Sequence, residues 1–190
     1  MVLLSKMALA FTADLEGKGI IEEADGELYL YGIRQGFSFL FNIISTLFLG
    51  FLLGMPAESM IFMLFYIPLR CYAGGYHEKT PLRCYILSMV TVAFMLFGLR
   101  FVPFPVFIAA AVASAALIFR IAPIGTKNKV LSEDERVHFS KKTRTVLFLE
   151  IMVVTAAVFL NVKIVVLCAC AAMVLSAALL IKGAEANKRM

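Results

Sequence analysis

The sequence contains few charged residues, no tryptophan and only two histidines. Asp, Glu, Lys and Arg make up 16% of its 190 residues, whereas soluble domains contain about 25%. Hydrophobic residues make up 62%. This composition excludes an ordinary soluble globular domain, and the four cysteines leave little room for a disulfide framework.

Charged residues are missing from several segments that approach the length of a membrane span, about 20 residues. These segments are residues 35–57, 84–99, 101–119 and 164–181, and in 145–162 the only charged residue is Glu150. A further uncharged segment, residues 59–69, is shorter and by itself could also be a re-entrant or buried helix.

The distribution of basic residues favours six membrane crossings. With the N-terminus in the cytoplasm, six crossings place 16 of the 18 Lys and Arg residues inside and leave only Arg100 and Lys163 outside. Lys and Arg are enriched in this way in cytoplasmic loops. The predicted spans are about 35–56, 57–69, 84–99, 101–119, 145–161 and 164–181.

We therefore predict an all-α fold, an integral membrane bundle of six transmembrane helices in a single domain, residues 1–190. Residues 1–34 have apolar residues at helical spacing, which predicts two short amphipathic helices separated near Gly17 and Gly19. They would lie on the inner membrane surface or cover the cytoplasmic end of the bundle. The net charge of +5 follows mostly from this topology and requires no nucleic acid.

The residues capable of chemistry are concentrated in the predicted cytoplasmic loop, residues 68–84. A Gly-Gly pair at positions 74 and 75 would end a helix that continues from the second span. Thr80 and Pro81 form a helix-start pattern, which places Cys84 at about the fourth residue of the third span. A helix N-terminus and a neighbouring cation, here Arg83, favour the thiolate form of a cysteine.

His77 could accept the Cys84 thiol proton if the turn between them brings the two side chains together. A chance spacing of two unrelated residues is an alternative interpretation. A zinc site formed by Cys71, His77, Cys84 and Glu78 is another, although separations of six and seven residues do not fit the usual close ligand pairs. We expect no metal and no cofactor, and we expect the other histidine, His138, to be solvated.

Two stretches of the sequence resemble the accessory gene regulator B (AgrB) family, membrane endopeptidases that process quorum-sensing propeptides in Gram-positive bacteria. The first stretch consists of Arg70, Ala73-Gly74-Gly75-Tyr76-His77, Thr80, Cys84 and Ser88. The second consists of Ala122-Pro123, Asn128-Lys129, Glu135 and Lys141-Lys142. Together with Tyr31-Gly32 before the first span, the resemblance covers nearly the whole chain.

The resemblance implies a cysteine peptidase of the bacterial cell membrane that acts on an AgrD-like propeptide. His77 and Cys84 match the catalytic pair of the family, and Arg70 and Gly75 match positions associated with activity. Attack by Cys84 would expel the C-terminal tail of the propeptide and leave a thioester. An internal cysteine or serine would then release a thiolactone or lactone. The resemblance also implies a homodimer.

The motif leaves the supporting residues open. The backbone amides of residues 82–84 suit an oxyanion site because helix-start amides lack intrahelical partners. Four side chains could orient His77: Gln35, Asn42, Glu78 and Asn128. Lys141 and Lys142, in the basic cytoplasmic loop 120–144, are expected to contact an acidic propeptide tail, unless their charge serves topology alone.

A small six-span transporter or channel is the alternative function. It would require paired intramembrane charges or broken spans along a pathway, and Glu150 alone fits this description. We expect Glu150 to extend to water at the nearby cytoplasmic end of its span. Cys168 and Cys170 are expected to be apolar packing residues.

Overall fold

The computed structural model describes residues 2–76, 80–125 and 131–188. In these ranges the chain forms seven α-helices and one short 3-10 helix, Glu23–Asp25, and no strand, which confirms the all-α prediction. The α-helices are α1 (Val2–Gly17), α2 (Gly26–Leu52), α3 (Pro56–Ala73), α4 (Pro81–Phe101), α5 (Phe104–Ile121), α6 (Glu133–Phe159) and α7 (Lys163–Lys188).

Each of the six apolar segments of the sequence is mostly helical. In the described ranges, four helices are long and apolar enough to cross a membrane, namely α2, α4, α5 and α7. The other two, α3 and α6, include charged residues: Glu58 and Arg70 lie in α3, and α6 begins with the acidic residues Glu133 to Glu135. The four apolar helices fit a membrane protein, and the count of six crossings stays a prediction.

The N-terminal region differs from its prediction. The first amphipathic helix is α1, which packs against α2 with Phe11 and Phe37 edge to face at 6.5 Å. The expected second helix is not separate, because α2 runs unbroken from Gly26 to Leu52. Helix growth is cooperative once nucleated, and Gly32 and Gly36 do not interrupt it.

The last helix, α7, lies at the centre of the bundle. It packs against α3, α5, α6 and α4, and most of its residues from Val166 to Leu180 are buried. Many of its buried residues are small, which lets neighbouring backbones approach closely. Cys168 and Cys170 are both fully buried, as the packing prediction required, and Cys168 Sγ lies 3.5 Å from the carbonyl oxygen of Glu58.

The two ends of the bundle carry different loops. At one end the chain after α3 meets the ends of α5 and α7, and α4 begins there with Cys84 near its start. At the opposite end Arg100 Nη2 donates a hydrogen bond of 3.0 Å to the carbonyl oxygen of Leu53. We call these the Gly74 end and the Arg100 end of the bundle.

Glu150 is buried inside the bundle, so the expectation that it extends to water is wrong. Its side chain is 5% exposed. It shares one face of α6 with the buried residues Thr143, Leu147 and Ala157, and this face packs against the core. Among the residues that the structure describes, neither carboxylate oxygen has a hydrogen-bond partner.

Candidate functional site

The site begins where α3 ends at two glycines. Gly74 has φ +73° and Gly75 has φ +122°, conformations that residues with a Cβ rarely adopt. A Cβ on Gly74 would collide with the carbonyl oxygen of Ile124, and one on Gly75 would lie 3.2 Å from the carbonyl oxygen of Leu179. Backbone geometry and lack of space therefore both require glycine here, as the sequence predicted for the end of this helix.

Arg70 holds the turn that follows α3. Its Nη1 donates a hydrogen bond to the carbonyl oxygen of Gly74, and its Nη2 donates one of 2.6 Å to the carbonyl oxygen of Tyr76. A guanidinium presents its donors in a fixed fork, so it fixes both carbonyl groups together. The next residue along the chain is His77, which with Glu78 and Lys79 lies outside the described residues.

The C-terminal part of α7 supports the same turn. The Tyr76 amide donates a hydrogen bond of 2.9 Å to the carbonyl oxygen of Leu179. A Cβ on Gly183 would lie 3.0 Å from the backbone of Gly75 and Tyr76, so α7 and the turn are in close contact. The ammonium group of Lys182 lies 4.2 Å from the centre of the Tyr76 ring.

The two stretches that carry the family resemblance meet in space. The Ile124 amide donates a hydrogen bond of 3.0 Å to the carbonyl oxygen of Ala73, and residues 74 and 124 form a parallel bridge. Asn187 Nδ2 donates to the carbonyl oxygen of Gly125 at 3.1 Å. Residues 126–130, which include Asn128 and Lys129, lie outside the described ranges.

Cys84 lies in the first turn of α4. Thr80 is the N-cap, Pro81 is the first helical residue, and Cys84 is the fourth, as predicted. The Thr80 hydroxyl accepts from the Arg83 amide at 3.4 Å, and the Thr80 carbonyl accepts from the Cys84 amide at 3.0 Å. The amides of Arg83 and Cys84 therefore already donate to Thr80, so the prediction that they form an oxyanion site is wrong. The Leu82 amide stays a candidate.

The ring of Tyr66, which lies on α3 one turn before Arg70, stacks on Phe62 with centroids 5.3 Å apart.

Of the four side chains considered for orienting His77, two lie in the described ranges, both on α2. Gln35 is exposed, and Asn42 is half-buried. The neighbour of Asn42, Phe41, lies with its ring 5.1 Å from the ring of Tyr85, the residue after Cys84. Asn42 is therefore at the level of Cys84, while Gln35 is about 10 Å further along the helix axis.

The second half of the predicted basic loop is helical. Residues 133–144 form the first turns of α6, which begin at a capping box between Ser132 and Glu135. The ring of Tyr72 lies 6.5 Å from that of Phe139, which holds these turns at the Gly74 end. Lys141 and Lys142 are exposed there. This half is helical because the capping signal nucleates a helix before the apolar segment, and the cytoplasmic position of residues 120–144 stays a prediction.

The described residues include no cluster of three His, Cys, Asp or Glu side chains that could hold a metal ion. Two members of the zinc alternative, His77 and Glu78, lie outside them, so that alternative is not tested. No disulfide joins the four cysteines. His138 is exposed, as expected, and so is Arg83.

These features fit an α-helical membrane protein. The Cys84 thiol, in the first turn of α4, lies at the same end of the bundle as the Gly74-Gly75 turn that Arg70 holds by hydrogen bonds. Residues 6–181 match the family model for accessory gene regulator B. No solved structure matches the chain at a significant level.

Two relatives carry names of the same family. AgrB-like protein 2 of Clostridium perfringens (strain 13 / Type A) is 29% identical to the chain, over 61% of the chain and 58% of that relative. An AgrB-like protein of Clostridium perfringens (strain SM101 / Type A) is 28% identical with the same coverage. The matched part of the chain thus spans less than two thirds of these relatives. Because the family model covers most of the chain, the chain belongs to the accessory gene regulator B family.

Proposed function

We propose that the protein is a membrane-embedded cysteine endopeptidase of a quorum-sensing system. In this proposal it removes the C-terminal tail of an AgrD-like propeptide through a Cys84 acyl-enzyme and promotes cyclisation of the remaining peptide. Family membership supports the proposal, and so does one structural observation: Cys84 lies in the first turn of α4, at the end of the bundle where Arg70 holds the turn that leads into His77.

The proposed nucleophile is favourably placed for thiolate chemistry. The first turn of a helix carries partial positive charge, which stabilises an anion there. Arg83 is adjacent in sequence, and the Arg70 guanidinium braces the neighbouring turn. Cys84 is half-buried, so a peptide segment at the membrane interface could reach its sulfur. Cys71 is at the same end of the bundle but lies in the last turn of α3, where the helix dipole has the opposite sign.

In the proposed first step, Cys84 Sγ forms a bond to the carbonyl carbon at the end of the signal segment. His77 takes the thiol proton and then gives it to the leaving amine as the peptide carbon–nitrogen bond breaks. The tail leaves with a new N-terminus, and the signal segment stays attached to Cys84 as a thioester. The Leu82 amide is the remaining backbone candidate for the oxyanion.

In the second step, a cysteine or serine inside the peptide gives its proton to His77 and attacks the thioester carbonyl, and the bond to Cys84 breaks to release the Cys84 thiolate, which can take the proton back. Exchange of one thioester for another is nearly balanced in bond energy, so the enzyme mainly has to hold the internal nucleophile close. Such positioning supplies a large effective concentration. A site recessed at the membrane interface would also limit hydrolysis of the thioester.

The placement of charge supports a cytoplasmic Gly74 end. Arg70, Arg83 and Lys182 lie at this end together with the basic first turns of α6, whereas Arg100 and Lys163 lie at the Arg100 end. Basic residues accumulate on the cytoplasmic side of membrane proteins. Both termini and the catalytic loop would then be cytoplasmic, and all six apolar helices would cross the bilayer. The homodimer stays a prediction.

The test is co-expression of the full chain with an AgrD-like propeptide that carries an epitope tag at its N-terminus. Wild type should shorten the propeptide, and Cys84→Ala and His77→Ala should each abolish shortening with unchanged protein level in the membrane. Cys71→Ala is the matched control, because it removes a thiol from the same end of the bundle, and it should cleave normally.

A second propeptide, with its internal cysteine or serine changed to alanine, tests the acyl-enzyme. It should remain attached to wild-type protein through a bond that hydroxylamine cleaves, and it should not attach to Cys84→Ala. Normal cleavage by Cys84→Ala would contradict the proposal. The transporter or channel alternative would then be tested by solute uptake into vesicles that contain the protein.

A further inference from the structure

The C-terminal part of α7 presents one face to the turn formed by residues 74–76, the Gly74–Tyr76 turn. Residues three and four positions apart share a face of a helix, and Leu179, Lys182 and Gly183 have this spacing. The Leu179 carbonyl oxygen accepts the hydrogen bond of 2.9 Å from the Tyr76 amide. Gly183 is buried, and a Cβ on it would lie 3.0 Å from the Tyr76 amide nitrogen. The turn is therefore in direct contact with the backbone of α7.

Lys182 adds a charged contact to this face. Its ammonium nitrogen lies 4.2 Å from the centre of the Tyr76 ring, which is within the range of a cation–π interaction. The face of an aromatic ring carries partial negative charge and attracts the ammonium group. Lys182 is exposed and Tyr76 is half-buried, so the side chain of a surface lysine holds the ring against α7.

Tyr76 is thus held through three of its groups. Its amide is bound by α7, its carbonyl oxygen accepts a hydrogen bond of 2.6 Å from Arg70 Nη2, and its ring contacts Lys182. The backbone contacts fix the position of the residue, and the ring contact fixes the direction of its Cα–Cβ bond. Together they set the direction in which the chain leaves Tyr76, and the next residue is His77.

We propose that Lys182 is a positioning residue for His77 and that it acts through its contact with the Tyr76 ring. The inference rests on the proposed function, in that it takes His77 as the base of the reaction. Arg70 holds the turn from α3, and Lys182 holds it from α7. The two helices therefore set the path of the chain at His77 together, and loss of either cation misaligns the histidine.

The test is a steady-state assay of propeptide cleavage by the full-length protein in membranes, with KM and kcat measured separately at equal protein level. Lys182→Gln should lower kcat about two- to fivefold, the size expected of a cation–π interaction at an exposed site, and leave KM unchanged. Lys182→Arg keeps a cation that can lie over a ring and should retain the wild-type kcat. Lys188→Gln is the matched control, because it removes a lysine from the last turn of the same helix, and it should cleave normally.

Substitutions of Tyr76 test whether the ring carries the effect of Lys182. Tyr76→Phe keeps the aromatic face and should retain most of kcat. Tyr76→Leu removes that face and should lower kcat at least as much as Lys182→Gln does. If the two side chains act through one contact, adding Lys182→Gln to Tyr76→Leu should lower kcat no further, whereas independent effects would multiply.

Three results would overturn the inference. The first is a wild-type kcat for Lys182→Gln. The second is a raised KM with unchanged kcat, which would indicate that Lys182 contacts the propeptide itself. The third is multiplication of the two effects in the double variant, which would show that the lysine acts without the ring. The nucleophile is decided separately, by cleavage with Cys84→Ala, so failure of this inference and failure of the proposed function are distinguishable.

Discussion

The guanidinium of Arg70 donates a hydrogen bond of 2.6 Å to the carbonyl oxygen of Tyr76, the last residue before His77. A second hydrogen bond from the same side chain ends on Gly74. Because both acceptors are backbone atoms, Arg70 fixes the path of the chain and not merely a side chain. The proposed catalytic histidine therefore follows a segment whose geometry depends on one arginine.

The first prediction concerns this arginine. Arg70→Lys keeps the charge but replaces a planar fork by a single ammonium group, which cannot hold two carbonyl groups in the same way. Cleavage of a co-expressed propeptide should fall at least about tenfold, with normal protein level in the membrane. Arg83→Lys, at an exposed position, is the control and should cleave normally. Full activity of Arg70→Lys would show that charge alone is needed.

The second prediction concerns Gly75. An alanine here would place its Cβ 3.2 Å from the carbonyl oxygen of Leu179 and 2.5 Å from Arg70 Nη1, at a φ of +122°. Backbone strain of this kind costs about 1–3 kcal/mol, and the collision would displace the Arg70 side chain. We expect Gly75→Ala to lose most of its cleavage activity, since an energy of this size corresponds to a factor of about 5 to 150.

Gly36→Ala is the control for Gly75→Ala. Gly36 lies in α2, and a Cβ there would meet nothing within 4 Å. An alanine stabilises a helix relative to glycine by about 1 kcal/mol, so this variant should be as active and at least as stable as wild type. Equal activity of the two alanine variants in the cleavage assay would contradict the assigned role of the Gly74–Tyr76 turn.

The third prediction concerns Lys141 and Lys142, which are exposed on the first turns of α6. If they attract an acidic propeptide tail, reversing both charges to glutamate should raise KM about three- to tenfold with little change in kcat. High salt should reduce the difference, because exposed charges are screened. Lys163→Glu, at the Arg100 end, is the control. Unchanged KM in the double variant would indicate that these lysines serve topology alone.

The fourth prediction concerns Glu150. Its carboxylate is 5% exposed and has no hydrogen-bond partner among the described residues. A buried, unsatisfied carboxyl group destabilises a protein, so Glu150→Gln should unfold in detergent at the same or a higher temperature than wild type. Cleavage should be unchanged, because the proposed reaction does not use this group. Loss of cleavage with normal stability would assign Glu150 a part in the function.

Much of the local structure around the site was predictable from the sequence. The Gly-Gly pair ends α3, and the Thr80-Pro81 pattern starts α4 with Cys84 as its fourth residue. These features depend on the backbone preferences of a few neighbouring residues, which local sequence determines. The course of residues 20–34 was predicted less well, because hydrophobic periodicity does not show whether one helix continues into the next.

The contacts between distant segments were not predictable. Nothing in the sequence pairs Ala73 with Ile124, or Tyr76 with Leu179. The burial of Glu150 depends on which face of α6 meets the core, and a count of residues from the end of the span does not contain that information.

The sequence by itself determined the helices, their apolar character, the ends of α3 and α4 and the residues capable of thiol chemistry. These follow from composition, charge distribution and local backbone preference, all of which act over short distances along the chain. The tertiary structure decided that the small residues of α7 place it at the centre of the bundle. The C-terminal part of α7 supports the turn that Arg70 holds in place. Such relationships depend on side-chain packing between helices that are far apart in sequence, which only the folded bundle specifies.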